Sequence, residues 1–169
     1  MTLLKAWRLW PQAEAPLQAT EQSACWDLRA CLVDDQKVEF INEWNERSSR
    51  VVTNQSITLF GHERMLMPTG WVFDIPMGYS MRVHARSGMA WKQGICLANS
   101  QGVIDSDYVE QTYVMLHNTT EVSWVINHGD RIAQMELLKT NAFDLQVTSE
   151  RPTIKSSRLG GFGHTGVSG

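Results

Sequence analysis

The feature that most constrains the fold is a period of two. Met81, Val83 and Ala85 alternate with Arg82, His84 and Arg86, which sends apolar and polar side chains to opposite faces of a strand. Residues 112–116 (TYVML) and 122–126 (VSWVI) are rich in β-branched and aromatic residues and lie between polar clusters. The polar stretches at 118–120 (NTT) and 127–130 (NHGD) read as turns, and Pro68, Pro76 and Gly78 interrupt the earlier part of the run. Many short strands at close spacing predict an all-β chain, a sandwich or a barrel.

Composition narrows what such a domain does. With 169 residues, 43% hydrophobic and 20% charged, the chain suits one domain with a real core. A net charge of −3 argues against a nucleic-acid binder, so any anionic ligand must meet positive charge supplied locally. Cys25, Cys31 and Cys96 are odd in number and show no metal-ligand spacing, which predicts free thiols in a reducing compartment. The apolar run near the N-terminus is short and broken by Trp and charge, unlike a signal peptide. No segment approaches the roughly 18 apolar residues of a membrane span, and the expected location is the cytoplasm.

Two regions stand apart from the strand pattern. Residues 35–60 read as a surface insertion, and within it 38–44 (VEFINEW) fits a helix and a strand equally well. Residues 156–169 (SSRLGGFGHTGVSG) are too poor in apolar side chains to order themselves, since each fixed backbone residue costs about 1–2 kcal/mol. A Gly-rich backbone carrying Arg, His and Thr also suits a flap that grips phosphate.

Four further segments share the tail's short, polar, turn-forming character: SACWDLRA at 23–30, RSGMA at 86–90, GVIDSDY at 102–108 and GDRIAQM at 129–135. Arg86 and Ser87 beside the Gly88 backbone make an oxyanion grip or an ordinary exposed turn. Asp105 and Asp107 read as a divalent-metal pair or as the solvated end of a hairpin.

With GGFGHTG at 160–166, these segments resemble, in order, the five motifs of the trimeric dUTPase family. LMPTG at 66–70 and IPMGY at 75–79 also look like family sequence. The resemblance implies a jelly-roll-like β subunit, 1–155, and a C-terminal flap, 156–169, that closes over a neighbouring subunit's site in a homotrimer. It implies hydrolysis of dUTP to dUMP and pyrophosphate, with Asp105 as the base that takes a proton from the attacking water. Asn99 and the Gly102, Val103 and Ile104 backbone would read uracil, Tyr108 would pack on the deoxyribose, and Phe162 would stack on the base. Arg86, Ser87, Gly88, Gln134, Arg158, Gly163, His164 and Thr165 would hold the phosphates. Mg²⁺ would be carried mainly by those phosphates, with Asp27 an outer partner through water and no direct protein ligand.

The motifs depart from the family pattern in places. Gln22 and Cys25 stand at common glycine positions, Glu110 at another, and His164 replaces the usual Ser. Arg158 lies one residue closer to Phe162 than in the common form. Two rival readings remain. A dCTP deaminase shares the fold but needs a catalytic Glu where this chain has Met115, and a thioether cannot shuttle protons. A regulatory protein that keeps the body and binds a partner through Phe40, Trp44 and Arg47 is the other.

Overall fold

The computed structural model describes residues 2–155. The alternating segment is a strand, β9 (Tyr79–His84), with Met81 and Val83 buried and Arg82 and His84 half-buried on the other face. It lies in a five-stranded antiparallel sheet ordered β11 (Gln101–Ile104), β9, β14 (Arg131–Lys139), β3 (Trp26–Arg29) and β2 (Leu17–Gln18). A second sheet runs β10 (Ile95–Leu97), β12 (Tyr113–Asn118), β7 (Arg64–Pro68), β4 (Lys37–Ile41) and β5 (Arg47–Val51). Two strand pairs complete the β structure: β1 (Lys5–Arg8) with β8 (Trp71–Asp74), and β6 (Ser56–Leu59) with β13 (Trp124–Asn127).

Both large sheets feed one core. Leu28, Met81, Val83 and Ala133 from the first meet Val38, Met65, Met67, Val114 and Leu116 from the second in a single buried cluster. Among the described residues neither sheet closes on itself, and the architecture is the jelly-roll type of sandwich. Among the described residues, no helix is long and apolar enough to cross a membrane. The three cysteines are free thiols, with Cys31 buried.

The segment that fitted helix and strand equally is a β-hairpin, β4 with β5. Tertiary packing decides it: Val38, Val52, Ile57 and Leu59 are all core residues. Arg50 fastens the hairpin to the body. Its guanidinium lies between the Phe40 and Phe60 rings, 4.2 and 4.5 Å from their centroids. It also donates twice to the buried Glu63 carboxylate, at 2.9 and 2.8 Å, and to the Thr58 carbonyl.

One helix was not expected. RSGMA does not form an open turn; it starts α1 (Ser87–Gln93), with Arg86 in extended conformation as N-cap. The helix buries none of its residues, so no apolar stripe announces it, and Gly88 inside it lowers helix propensity. Gly94 ends it at φ 66°, where an added Cβ would run into the Thr120 side chain.

Candidate active site

The strand registers line up residues from four strands in one row. Gln101 on β11 is opposite His84 on β9, His84 is opposite Gln134 on β14, and Gln134 is opposite Asp27 on β3. Side chains level with one another on neighbouring strands share a face. Separate sequence segments thus meet on the outer face of the first sheet.

Asp27 ties that face together. Its side chain is buried, and one carboxylate oxygen accepts from Arg86 Nε at 3.2 Å while the other accepts from Arg131 Nη1 at 3.3 Å. Arg86 also donates to the Arg131 carbonyl at 3.2 Å. Simple alternation would send Arg131 away from Gln134, three residues later. The register of β14 against β3 shifts between Arg131 and Ala133, and this irregularity brings the guanidinium to Asp27. Gly129, at φ 81°, makes the turn just before it and donates its N–H to the Ala30 carbonyl. Arg131 is therefore a site residue that sequence reasoning misses. Its only signal is the Gly-Asp-Arg run, which suggests a local ion pair; in the fold its partner is 104 residues away.

Beside this triad is a cavity of about 360 Å³ lined by Arg86, Gly88, Lys92, Trp124, Asp130 and Arg131, among others. The Trp124 indole N–H is buried there without a hydrogen-bond partner among the described residues.

A second cavity, of about 550 Å³, lies between the two sheets' edges. Asn99, Gly102, Val103, Ile104, Asp105 and Tyr108 line it together with Asp107 and Met115. The third motif does not form a hairpin with β10 among the described residues. Among the described residues β10 pairs only with β12 and β11 only with β9, so residues 98–100 cross from one sheet to the other. Both strands are edges. The free side of β11 therefore offers backbone N–H and C=O groups that no neighbouring strand among the described residues takes.

β11 stops at Ile104, and Asp105 to Tyr108 form a turn in which the Tyr108 N–H donates to the Asp105 carbonyl at 3.2 Å. Asp107 is thus in the turn itself, so the same-face relation to Asp105 that a regular strand would impose does not apply. The Tyr108 hydroxyl donates to the Gln111 carbonyl at 2.8 Å, which fixes the ring. Burial, with Tyr113 and Glu110 nearby, pushes its pKa up and keeps the phenol neutral. Gly102 packs closely: a Cβ there would lie 3.0 Å from Val83 Cβ.

The two cavities share no lining residue. Arg86 and Gly88 line the first, which Asp27 reaches through Arg86 and Arg131, and Asn99, Gly102, Val103, Ile104, Asp105 and Tyr108 line the second; Gln134, opposite Asp27, lines neither. Ser87 begins α1 beside the first cavity. Arg158, Phe162, Gly163, His164 and Thr165 lie outside the described residues.

With the geometry of both cavities in hand, comparison with known proteins decides the family. The dUTPase family model matches residues 50–166, more than half of the chain. The chain belongs to the dUTPase family. That match includes motifs two to five and begins inside the 35–60 segment. A deoxyuridine 5'-triphosphate nucleotidohydrolase of Rhizobium johnstonii is 42% identical over 112 residues, 66% of this chain and 70% of the relative. Its counterpart in Chlamydia trachomatis serovar L2 is 38% identical over 117 residues, 69% of this chain and 81% of the relative. Among solved structures, a glycine-to-serine mutant of the Staphylococcus bacteriophage 80alpha dUTPase, bound to dUpNHpp, superposes with a TM-score of 0.76. It is 18% identical, and the match covers 99% of this chain and 100% of the phage enzyme. An aspartate-to-asparagine mutant of the dUTPase from phage phi11 of S. aureus, described with a structural Mg(II) ion, has a TM-score of 0.69 at 17% identity. That match covers 88% of this chain and 98% of the phage enzyme.

Proposed function

We propose that the protein is a dUTP diphosphatase, hydrolysing dUTP to dUMP and pyrophosphate in active sites shared between the chains of a homotrimer. The observation that carries this reading is the division of the motifs between two cavities of opposite character within one chain. A nucleotide needs both at once, which supports a cavity from one chain meeting the other kind from a neighbour. The segment 141–155 supports association: Phe143, Leu145 and Val147 alternate along it, all more than 80% exposed, with no strand partner among the described residues.

In the second cavity the free edge of β11 would pair with uracil as a complementary base does, with Asn99 adding a side-chain contact. A deoxyribose would lie against Tyr108. Its ring is pinned through the hydroxyl, so it cannot swing aside for a 2′-hydroxyl. The first cavity would take the phosphates, on Arg86 and Arg131 held apart by Asp27, with Ser87, Gly88 and Gln134 nearby. The first N–H groups of α1 have no carbonyl within the helix to pair with and are available to phosphate oxygen. Limiting the positive charge to this patch is how a chain of net charge −3 receives a polyanion.

Asp105 would take a proton from water as the water oxygen attacks the α-phosphorus. The bond from that phosphorus to the bridging oxygen breaks, and pyrophosphate leaves with the bond's electron pair. Mg²⁺, when bound, neutralises charge on the phosphates. The donor set fits a phosphate-held ion: among the described residues no carboxylate cage lines the arginine cavity, and each Asp27 oxygen keeps a lone pair free for a metal-bound water. The tail, 156–169, would close the site from another chain, and its deletion is expected to cut activity severely without dissociating the body.

The deciding experiment measures pyrophosphate release from dUTP, dTTP, dCTP and UTP, with and without Mg²⁺. Strong preference for dUTP supports the reading; ammonia release from dCTP would overturn it in favour of deamination. Met115, which lines the base cavity, gives the latter no proton shuttle. Of the three residues considered for a partner surface, Phe40 is committed to Arg50 and Arg47 pairs with Glu39 at 2.6 Å. Trp44, exposed at the hairpin tip, and Arg47, whose side chain is also exposed, are left to meet a partner.

A further inference from the structure

The face that carries Asp27 and Gln134 holds a second group of side chains that the reaction does not use. Glu136 follows Gln134 by two residues on β14, Cys25 precedes Asp27 by two, and His84 ends β9. Parity places all three on the same outer face of the sheet. Cys25 Sγ, an imidazole nitrogen of His84 and a carboxylate oxygen of Glu136 all lie within 4.8 Å of one another. Sulfur, nitrogen and oxygen donors from β9, β14 and the residue just before β3 converge on one point.

The chemistry of this trio differs from that of the phosphate cavity. Thiolate and imidazole prefer borderline cations of the zinc class over Mg²⁺. Around such an ion, bonds of about 2.0–2.3 Å put tetrahedral neighbours roughly 3.3–3.8 Å apart, so small rotamer changes would close the trio on a metal. His84 Nε2 is 2.9 Å from Glu136 Oε1, its only ion-pair contact among the described residues, and Arg82, opposite Glu136, makes no ion pair with it. The other ring nitrogen, Nδ1, is 3.4 Å from the Gln101 side-chain amide. If Nε2 binds a cation, Nδ1 must carry the hydrogen, and a turned Gln101 amide presents its oxygen to accept it. Burial, then Glu136 and Asp27, raise the Cys25 pKa. The same negative surroundings favour a dication, whose binding releases the thiol proton to solvent.

We infer that Cys25, His84 and Glu136 form a binding site for a divalent cation of the zinc class, with its fourth position open to water and Gln101 orienting the imidazole from behind. This site is independent of the proposed hydrolysis. Linear spacing gave no sign of it, because its ligands come from three separate segments of the chain.

The test uses the full chain after chelator treatment, titrated with Co²⁺. One equivalent per chain should produce a thiolate-to-cobalt charge-transfer band that Zn²⁺ abolishes. The band should vanish in Cys25→Ser and persist in Cys96→Ser. His84→Ala and Glu136→Gln should each weaken binding tenfold or more, and Gln101→Leu by about tenfold. No band from the folded wild type, or a band that survives Cys25→Ser, overturns the assignment. Should Cys25→Ser fail to fold, alkylation of Cys25 in the wild type decides, mapped by mass spectrometry. Protection by Zn²⁺ but not by Mg²⁺ supports the site, and equal labelling in all conditions refutes it.

Discussion

The two cavities are built by opposite strategies. The one beside β11 takes most of its polar groups from a single stretch, 99–108, and works through backbone at a sheet edge. The arginine cavity depends on side chains brought together over long separations: Asp27 meets Arg86 across 59 residues and Arg131 across 104. The first asks only that two strands end at the right place. The second needs the whole sheet in register and a bulge in β14. Local construction suits reading a base by shape; long-range ion pairing suits fixing charges at set positions.

Substitutions can separate the two. Asp105→Asn should have the largest effect, lowering kcat by about 10²–10⁴-fold with dUTP affinity within a few-fold, measured by single turnover and equilibrium binding. Retained turnover would remove the base assignment. Asp27→Asn leaves two guanidiniums without their shared counter-charge. It should lower kcat/KM for dUTP by about 10–100-fold through the phosphate side. It should also cost about 1–3 kcal/mol in a denaturant melt, below the range for fully buried pairs because Arg131 is half exposed. Gly102→Ala presses a methyl on Val83 and should raise KM a few-fold with kcat nearly unchanged, and cost about 1 kcal/mol of stability. Equal effects of these last two on KM and kcat would erase the distinction between the cavities.

The smallest expected effect touches neither cavity and serves as a control. Burial, with Arg64 and His62 nearby, lowers the pKa of His117 on β12 below its ordinary 6.5. The unfolded chain then takes up this proton first as the pH falls. The contribution is fully present above pH 6.5 and is lost as pH drops from there through the folded-state value. The melting temperature should decline as the pH falls below 6.5, and His117→Gln should flatten part of that slope.

Legibility in the sequence follows the same divide. Strand character at 81–86 and 112–116 was plain from alternation and composition, because each strand buries one face, although the strands run Tyr79–His84 and Tyr113–Asn118. The stretch 99–108 stood out because its residues are contiguous and resemble one family motif. Arg131 did not, since a bulge reverses the face that alternation assigns to it. Nor did α1, a single short helix with a glycine inside and no buried face. That β10 and β11 belong to different sheets was also hidden, because a period of two reports which face is buried and not which neighbour is paired. The 38–44 ambiguity was real at the local level and was resolved by Val38 in the core and by Arg50 held between two rings.

That Arg50 clamp has a practical corollary. It anchors β4 and β5 at the body end, while the connecting tip closes on itself through Asn42, whose side-chain oxygen accepts from the Trp44 and Glu46 N–H groups. The tip lines neither cavity. Lengthening a surface loop costs only about 0.6 kcal/mol per doubling. Residues 42–46 are therefore a natural place to graft an epitope or fluorophore, giving a tagged enzyme whose chemistry is left undisturbed.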